Sequence, residues 1–339
     1  MRIVQAGHFQ LRKYGIPKVS TELKLHNGFI RLNHNVQIFS ERDTAAFEAP
    51  FGFRDLGRSK ANRRLVETCI NFSPDLLVLG HCDIIQNRTL DQIRHHLPNI
   101  LIAYRNVDAL YIPANVSRIK SRAAHVDHIF LTTAGHEAKT LIDIPEKISY
   151  IPNPVDASYE CFNCSKQPAQ SFQRDLVFCG QGDPDLPRFE VIRKLKGKLN
   201  DQMKFETFGF DGESAVWGRH YDQIIASSKM GLNLNRKEGA YLSSSARVAQ
   251  LMGNGLLTFI HEATGLQKFF QDKAVFFNSD SDLGEKLVHY HKHDSERRKV
   301  ASAGHDYVHR FMSSERIADY MIKKTFKHSG LDQFAWTDC

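Results

Sequence analysis

Residues 229–265, KMGLNLNRKEGAYLSSSARVAQLMGNGLLTFIHEATG, constrain the fold more than any other part of the chain. They read as strand, loop, helix, strand. An apolar run over 230–234 gives way to Asn235, and a polar loop carries Arg236 and Lys237. Ser243, Ser244 and Ser245 then open a helix that stops at Gly253-Asn254-Gly255, ahead of a strand over 256–260. A parallel unit of this kind puts the loop and the helix N-terminus at the carboxyl edge of a sheet, where open α/β sheets bind ligands. The serines are placed to cap the helix, whose first N–H groups suit a phosphate. Arg236, Lys237 and Arg247 add fixed positive charge for the same anion. A capped helix carrying solvated basic residues is the plain alternative.

The same alternation runs through both halves of the 339 residues, a length suited to two domains. It predicts two Rossmann-like α/β domains facing a cleft. The first spans 1–156, a polar, weakly periodic linker 157–173, and the second 174–313, before a helix and tail over 314–339. Hydrophobic residues are 42% and charged residues 24%, as in an ordinary globular protein. No window approaches the 18 consecutive apolar residues of a membrane span, and MRIVQAGHF begins directly on a strand, so the expected location is cytoplasmic. A net charge of +7 favours anionic partners, among them nucleotides and an anionic membrane surface. No recognition helix or finger spacing supports nucleic acid.

In the first half, each strand empties into polar residues. Residues 2–6 end at Gly7 and a loop with His8 and Lys18; 76–79 end at Gly80-His81-Cys82-Asp83; 100–104 end at Arg105-Asn106-Val107-Asp108. A histidine such as His81 at a strand's carboxyl end can orient a sugar or take a proton from a hydroxyl, whereas a histidine hydrogen-bonded within its loop does neither. Cys161 and Cys164 form a lone C-x-x-C without a second pair, and Asp183-Pro184-Asp185 reads as a turn. No metal site is expected.

The pattern R-V-A-Q-L-M-G-N-G-L-L-T-F, followed by E-A-T-G-L-Q-K-F-F and L-G-E-K-L-V-H-Y, resembles the donor half of two-domain glycosyltransferases. The nearest type is "glycosyl transferases group 1" of GT-B architecture, with its family 4-like and spore-protein-like branch. I-S-Y-I-P-N-P-V-D resembles the close of that class's first domain, with Pro154 in place of the usual Gly, and K-L-H-N-G-F-I-R-L-N-H resembles the opening of lipopolysaccharide-type acceptor halves. The Glu-x7-Glu of the group falls here on Leu242 and Gln250, so both carboxylates are absent.

The resemblance implies a metal-independent glycosyltransferase that uses a nucleotide-sugar co-substrate and no other cofactor; UDP, GDP and CMP all remain open. Gly180 and Gly182 would approach the donor by backbone, and Arg236, Lys237 and Ser244 would hold its phosphates. Tyr241, Ser245 and Arg247 would stand beside them, with Gln250 near the ribose. His81, Asp83 and His8 are the implied catalytic residues; Lys18, Asn106 and Asp108 the implied acceptor contacts. The acceptor would be a bacterial surface glycan or glycolipid of lipopolysaccharide or capsule type, with peripheral contact at the inner face of the cytoplasmic membrane. The final helix would cross back onto the first domain. The missing carboxylates also allow an inactive nucleotide- or glycan-binding relative.

Overall fold

The computed structural model describes residues 1–16, 21–135, 138, 141, 143, 145–199, 202–237 and 239–337. The chain divides into two compact units, one of residues 1–152 with 314–339 and the other of residues 153–313.

Among the described residues, unit 1 is built on a six-stranded parallel sheet. Its strands are β1 (Arg2–Gly7), β2 (Asn35–Ser40), β3 (Leu76–Leu79), β4 (Leu101–Asn106), β5 (His128–Leu131) and β6 (Ile148–Tyr150). They lie in the order β2-β1-β3-β4-β5-β6. The helices are α1 (Thr21–Arg31), α2 (Glu41–Phe47), α3 (Arg58–Phe72), α4 (Asn87–His96) and α5 (Pro113–Ala123). The central strand β3 is apolar along its whole length, and all four of its residues are buried, as expected of a strand covered on both faces. The edge strand β2 alternates exposed and half-buried positions over its first four residues.

Unit 2 has a five-stranded parallel sheet among its described residues, in the order β11-β10-β9-β7-β8. Its strands are β7 (Arg174–Cys179), β8 (Phe205–Phe208), β9 (Ser228–Asn233), β10 (Leu257–His261) and β11 (Val275–Phe277). The flanking helices are α6 (Pro187–Leu199), α7 (Gly218–Ala226), α8 (Ala246–Gly253), α9 (Gln267–Phe270), α10 (Asp280–Lys292) and α11 (Asp294–Phe311). Phe178, Phe189 and Phe259 fill one core of this unit, and Val177, Ile225 and Leu251 a second.

Residues 157–173 are not an open tether. Cys164 is fully buried, its N–H donates to the Asn254 carbonyl at 2.9 Å, and Asn254 Oδ1 accepts the Phe162 N–H at 3.2 Å. The Gly-Asn-Gly that ends α8 therefore also pins this segment to unit 2. Asp183-Pro184-Asp185 forms the turn read from sequence, the Asp185 N–H donating to Asp183 Oδ1.

The last helix, α12 (Ser314–Thr325), is part of unit 1, where Ile317, Tyr320 and Met321 are buried. Tyr320 packs edge-on against Phe130 of β5 and against Trp336 of the tail. No described helix is long and apolar enough to cross a membrane.

Helix α1 meets the start of α12 through Gly28, where an added Cβ would lie 2.3 Å from the Ser314 carbonyl oxygen. Gly28→Ala is expected to destabilise unit 1 by about 1–3 kcal/mol through overpacking against backbone. Gly197→Ala, in open space on α6, should be neutral or gain up to about 1 kcal/mol of helix propensity. Urea unfolding of the two variants checks this; equal midpoints would mean that α1 and α12 separate readily.

Candidate functional site

Both sheets reverse their winding direction once, and both sets of polar residues lie where they do so. In unit 1 the chain leaves β1 for β2 and returns to β3 on the other side of β1. In unit 2 it leaves β7 for β8 and returns to β9 on the other side of β7. Strand ends at such a switch point splay the following loops apart and leave a crevice.

In unit 2 the crevice is framed by Cys179-Gly180 and Asn233-Leu234, and one side chain spans it. Arg247, in the first turn of α8, donates through Nε to the Cys179 carbonyl at 2.8 Å. Its Nη1 donates to Asn233 Oδ1 and to the Leu234 carbonyl, both at 3.2 Å. The guanidinium lies over the Phe178 ring, and a Cβ at Gly180 would come within 3.0 Å of Nη2. Its partners are neutral oxygens, and no carboxylate among the described residues pairs with it. Burial pulls its pKa below the usual arginine value, and the neighbouring Arg236 pushes the same way. Two cations facing one crevice without an acid between them favour an anion.

A small pocket opens beside this arginine, lined by Arg188, Asn233, Asn235, Arg236, His261 and Thr264 among others. Asn233 is oriented by its neighbours. Its Oδ1 accepts from Arg247 and from Ser245 Oγ at 2.7 Å, so the amide nitrogen is the atom left over. That Nδ2, like Asn235 Nδ2, is buried with no partner among the described residues. Arg188 is fixed by a hydrogen bond to the Gln181 carbonyl and lies over the Phe189 ring. The pocket wall thus offers buried, prepositioned N–H donors that await an acceptor-rich ligand.

The donor residues read from sequence are only partly gathered here. Arg236 lines the pocket, with exposed Lys237 next to it; Gly180, Ser245 and Arg247 stand outside its lining, Ser245 and Arg247 reaching it only through their bonds to Asn233. Gly182 packs against Leu186 and Arg188. The others have different tasks. The Ser245 hydroxyl does not cap α8 although Ser245 is the N-cap residue, because it donates to Asn233 instead. Ser244 is tied to Asn153, whose backbone N–H reaches its hydroxyl at 3.3 Å. Gln250 accepts the buried Tyr221 hydroxyl, and Tyr241 packs on Gly265. Leu242 is fully buried with a left-handed backbone. Asn233, Asn235, Arg188 and His261 were missed; the N-L-N of the opening stretch was the available signal.

In unit 1, Glu22 of α1 fills the switch point between β1 and β3. An added Cβ at Gly80 would lie 2.4 Å from its Oε1, and the same oxygen accepts the His81 N–H at 3.3 Å. Buried Arg105 from β4 pairs with both carboxylate oxygens at 3.4 Å. His81 is oriented by Asp108, with Nδ1 3.1 Å from Oδ2. That hydrogen bond raises the imidazole pKa above 6.5 against the opposing effect of burial. Asp108 also pairs with Arg118, and its N–H is held by Asn106 Oδ1 at 2.8 Å. Asn106 is buried and donates to the Tyr104 hydroxyl, so it positions Asp108 and is not exposed to an acceptor.

Asp83 does not join His81 as a proton acceptor. Arg42 grips it with two bonds of 3.0 Å. Burial alone would raise its pKa, but hydrogen bonds from Glu41 and Arg42 outweigh this and hold it at about 2. Glu41 takes the opposite course, pushed up to about 7 by burial and by its contact with Asp83, while Ile84 N–H donates to it at 2.8 Å. His8 lies on the wall of a separate, open pocket; burial and Arg42 keep its pKa below 6.5. Lys18 lies outside the described residues.

Residues 188–323 match the family described as "Glycosyl transferase-like". No curated protein sequence matches the chain. Among solved structures, the fold is similar to that of Anabaena HepE in complex with UDP and glucose. The TM-score is 0.61 at 11% identity, over 96% of this chain and 100% of that one. An α-glucosyltransferase in complex with UDP and DNA gives a TM-score of 0.67 at 12% identity, over 96% and 98%. Sucrose-phosphate synthase from Thermosynechococcus elongatus gives 0.64 at 11%, over 96% and 99%. These likenesses establish two Rossmann-like units of the GT-B kind.

Glu41 makes a stability prediction. Its folded pKa of about 7 stands above its ordinary 4.5, so the native chain holds a proton that the unfolded chain has released. The associated stability is complete below pH 4.5 and is lost as pH rises through 7, by about 3 kcal/mol. Glu41→Gln should remove this decline, gaining stability relative to wild type on going from pH 5 to pH 8. Urea unfolding at both pH values reads it; an equal difference at each would mean that Glu41 is ionised throughout.

Proposed function

We propose that the chain is a GT-B-type glycosyltransferase that takes sugar from a nucleoside diphosphate donor bound at the β7/β9 switch point of unit 2, a reading supported by the fold and by the family that residues 188–323 match. One observation carries the reading: a pocket at a sheet's carboxyl edge converges arginines and unpartnered amide donors on one space. UDP is the first candidate nucleotide, because two of the similar structures carry it.

Arg236 and Lys237 reach the diphosphate from the exposed loop. Arg188, locked to a backbone carbonyl, holds the wall positive, and Arg247, locked likewise behind Asn233, adds its charge without needing to reorganise. Asn233 and Asn235 donate to donor oxygens. As the acceptor hydroxyl attacks the anomeric carbon, the bond from that carbon to the phosphate oxygen breaks and the nucleotide leaves with an additional negative charge. The arginine cluster neutralises that charge, a task that needs no metal ion.

His81 takes the proton of the acceptor hydroxyl. With Nδ1–H donating to Asp108, Nε2 is the basic nitrogen, and Asp108 stabilises the imidazolium that forms. The acceptor is a glycan or glycolipid of the bacterial surface type, a reading supported by the resemblance of residues 24–34 to acceptor halves of that class. The absent carboxylates at Leu242 and Gln250 favour, as a second reading, a relative that binds nucleotide without turnover; a hydrolysis or transfer assay with labelled UDP-sugars separates the two.

Two outcomes are expected. Arg236→Ala with Lys237→Ala should weaken UDP binding by about 1–3 kcal/mol for each charged hydrogen bond lost, at unchanged thermal midpoint without ligand. Calorimetric titration checks this, and undiminished affinity would remove the donor site. Asp108→Asn should move the acidic limb of kcat/KM to lower pH, because the histidine loses the partner that raises its pKa. A limb that stays in place would dismiss His81 as the base.

A further inference from the structure

Seven of the fourteen large apolar side chains exposed among the described residues come from two short segments of unit 1. Leu11, Tyr14 and Ile16 belong to the loop after β1; Phe47, Phe51, Phe53 and Leu56 to the end of α2 and the loop after it. Phe51 is 96% exposed and Tyr14 86%, and both hold left-handed backbones, with φ of 57° and 46°. A bulky side chain at positive φ costs on the order of 1 kcal/mol, and full exposure of a phenylalanine returns nothing to the fold. The segments form one surface. Arg12 Nη1 donates to the Gly52 carbonyl at 3.3 Å, and Asp43 accepts the Leu11 and Arg12 N–H groups at 2.7 and 3.2 Å.

This surface is basic as well as apolar. Residues 11–16 and 47–60 carry Arg12, Lys13, Arg54, Arg58 and Lys60 against Glu48 and Asp55. Glu48 is itself neutralised by Arg64 at 2.6 Å. The same loops rim the open pocket whose wall includes His8 and Arg42. Exposed aromatic and aliphatic tips among cations that outnumber the acids match the boundary layer of an anionic bilayer, with tips entering the headgroup region and cations facing lipid phosphates.

We infer that this lip of unit 1 docks on an anionic membrane surface and that the pocket behind it receives the head of a lipid-anchored acceptor. The acceptor's identity as glycolipid rests on the functional reading above, whereas docking does not, because vesicle binding is read without turnover.

The test is flotation of the full chain with vesicles of phosphatidylcholine alone or mixed with phosphatidylglycerol. Wild type should bind the mixed vesicles preferentially, and less at high salt. Lys13→Gln should reduce partition roughly fivefold, the worth of one cation near such a surface. Phe51→Gly should reduce it roughly tenfold through loss of one inserted ring, while the thermal midpoint holds or rises because glycine accepts the left-handed backbone. UDP affinity should be unchanged in both variants, so failure of docking and failure of the donor site are distinguishable. Equal binding to neutral vesicles, or variants that float like wild type, would overturn the proposal. So would a lipid-free dimer that Phe51→Gly dissolves, since a second copy would then be the occupant.

Discussion

One guanidinium holds the candidate donor site of unit 2 together. Arg247 ties the carboxyl ends of β7 and β9 across the point where the sheet reverses, and the orientation of Asn233 follows from it. A lysine would supply charge there but not three bonds in a fixed fork. The arginine's partners are carbonyl and amide oxygens, so its charge is fixed in place without being cancelled. Geometry and electrostatics are normally in tension at such a place, since the carboxylate that best fixes a guanidinium also neutralises it. Backbone carbonyls at a switch point avoid that conflict.

Unit 1 meets the same topology with the opposite sign. Its crevice is filled by the Glu22 carboxylate, backed by buried Arg105, and the loop after β3 is arranged around it. Around this centre acids and bases are sorted by environment. Arg42 keeps Asp83 ionised, burial lifts Glu41 to about 7, and Asp108 keeps His81 basic. Among His81, Asp83 and His8, only His81 combines an orienting carboxylate with a raised pKa, and this separates it from two neighbours that looked equivalent along the chain.

Much of the fold was legible because strands buried on both faces are written as unbroken apolar runs. Leu76–Leu79 is an example, and Gly-Asn-Gly stops a helix wherever it is read. The site was less legible. Arg236 and Arg247 announce themselves as charges, but Asn233 gains its role only because Arg247 and Ser245 occupy its oxygen. No local pattern says that Ser245 turns away from its helix, or that Tyr221 takes up Gln250. Glu22 lies far from both its partners in sequence, and residues 157–173 look like a tether until Asn254 is seen to bind them. Composition reads what a segment is made of; side-chain bonds between distant segments decide what remains available to a ligand.

The return of α12 to unit 1 sets an order of assembly. Residues 153–313 are contiguous and contain every strand of their own sheet, so this unit can close as soon as it is synthesised. Unit 1 begins first but lacks the helix that covers α1 and β5 until residues 314–325 emerge. During translation its apolar surface around Phe29 and Phe130 therefore waits, uncovered on that side, for the whole of the other unit to be made. The half of the chain begun first is completed last, and that interval is when it is most open to chaperones and to aggregation.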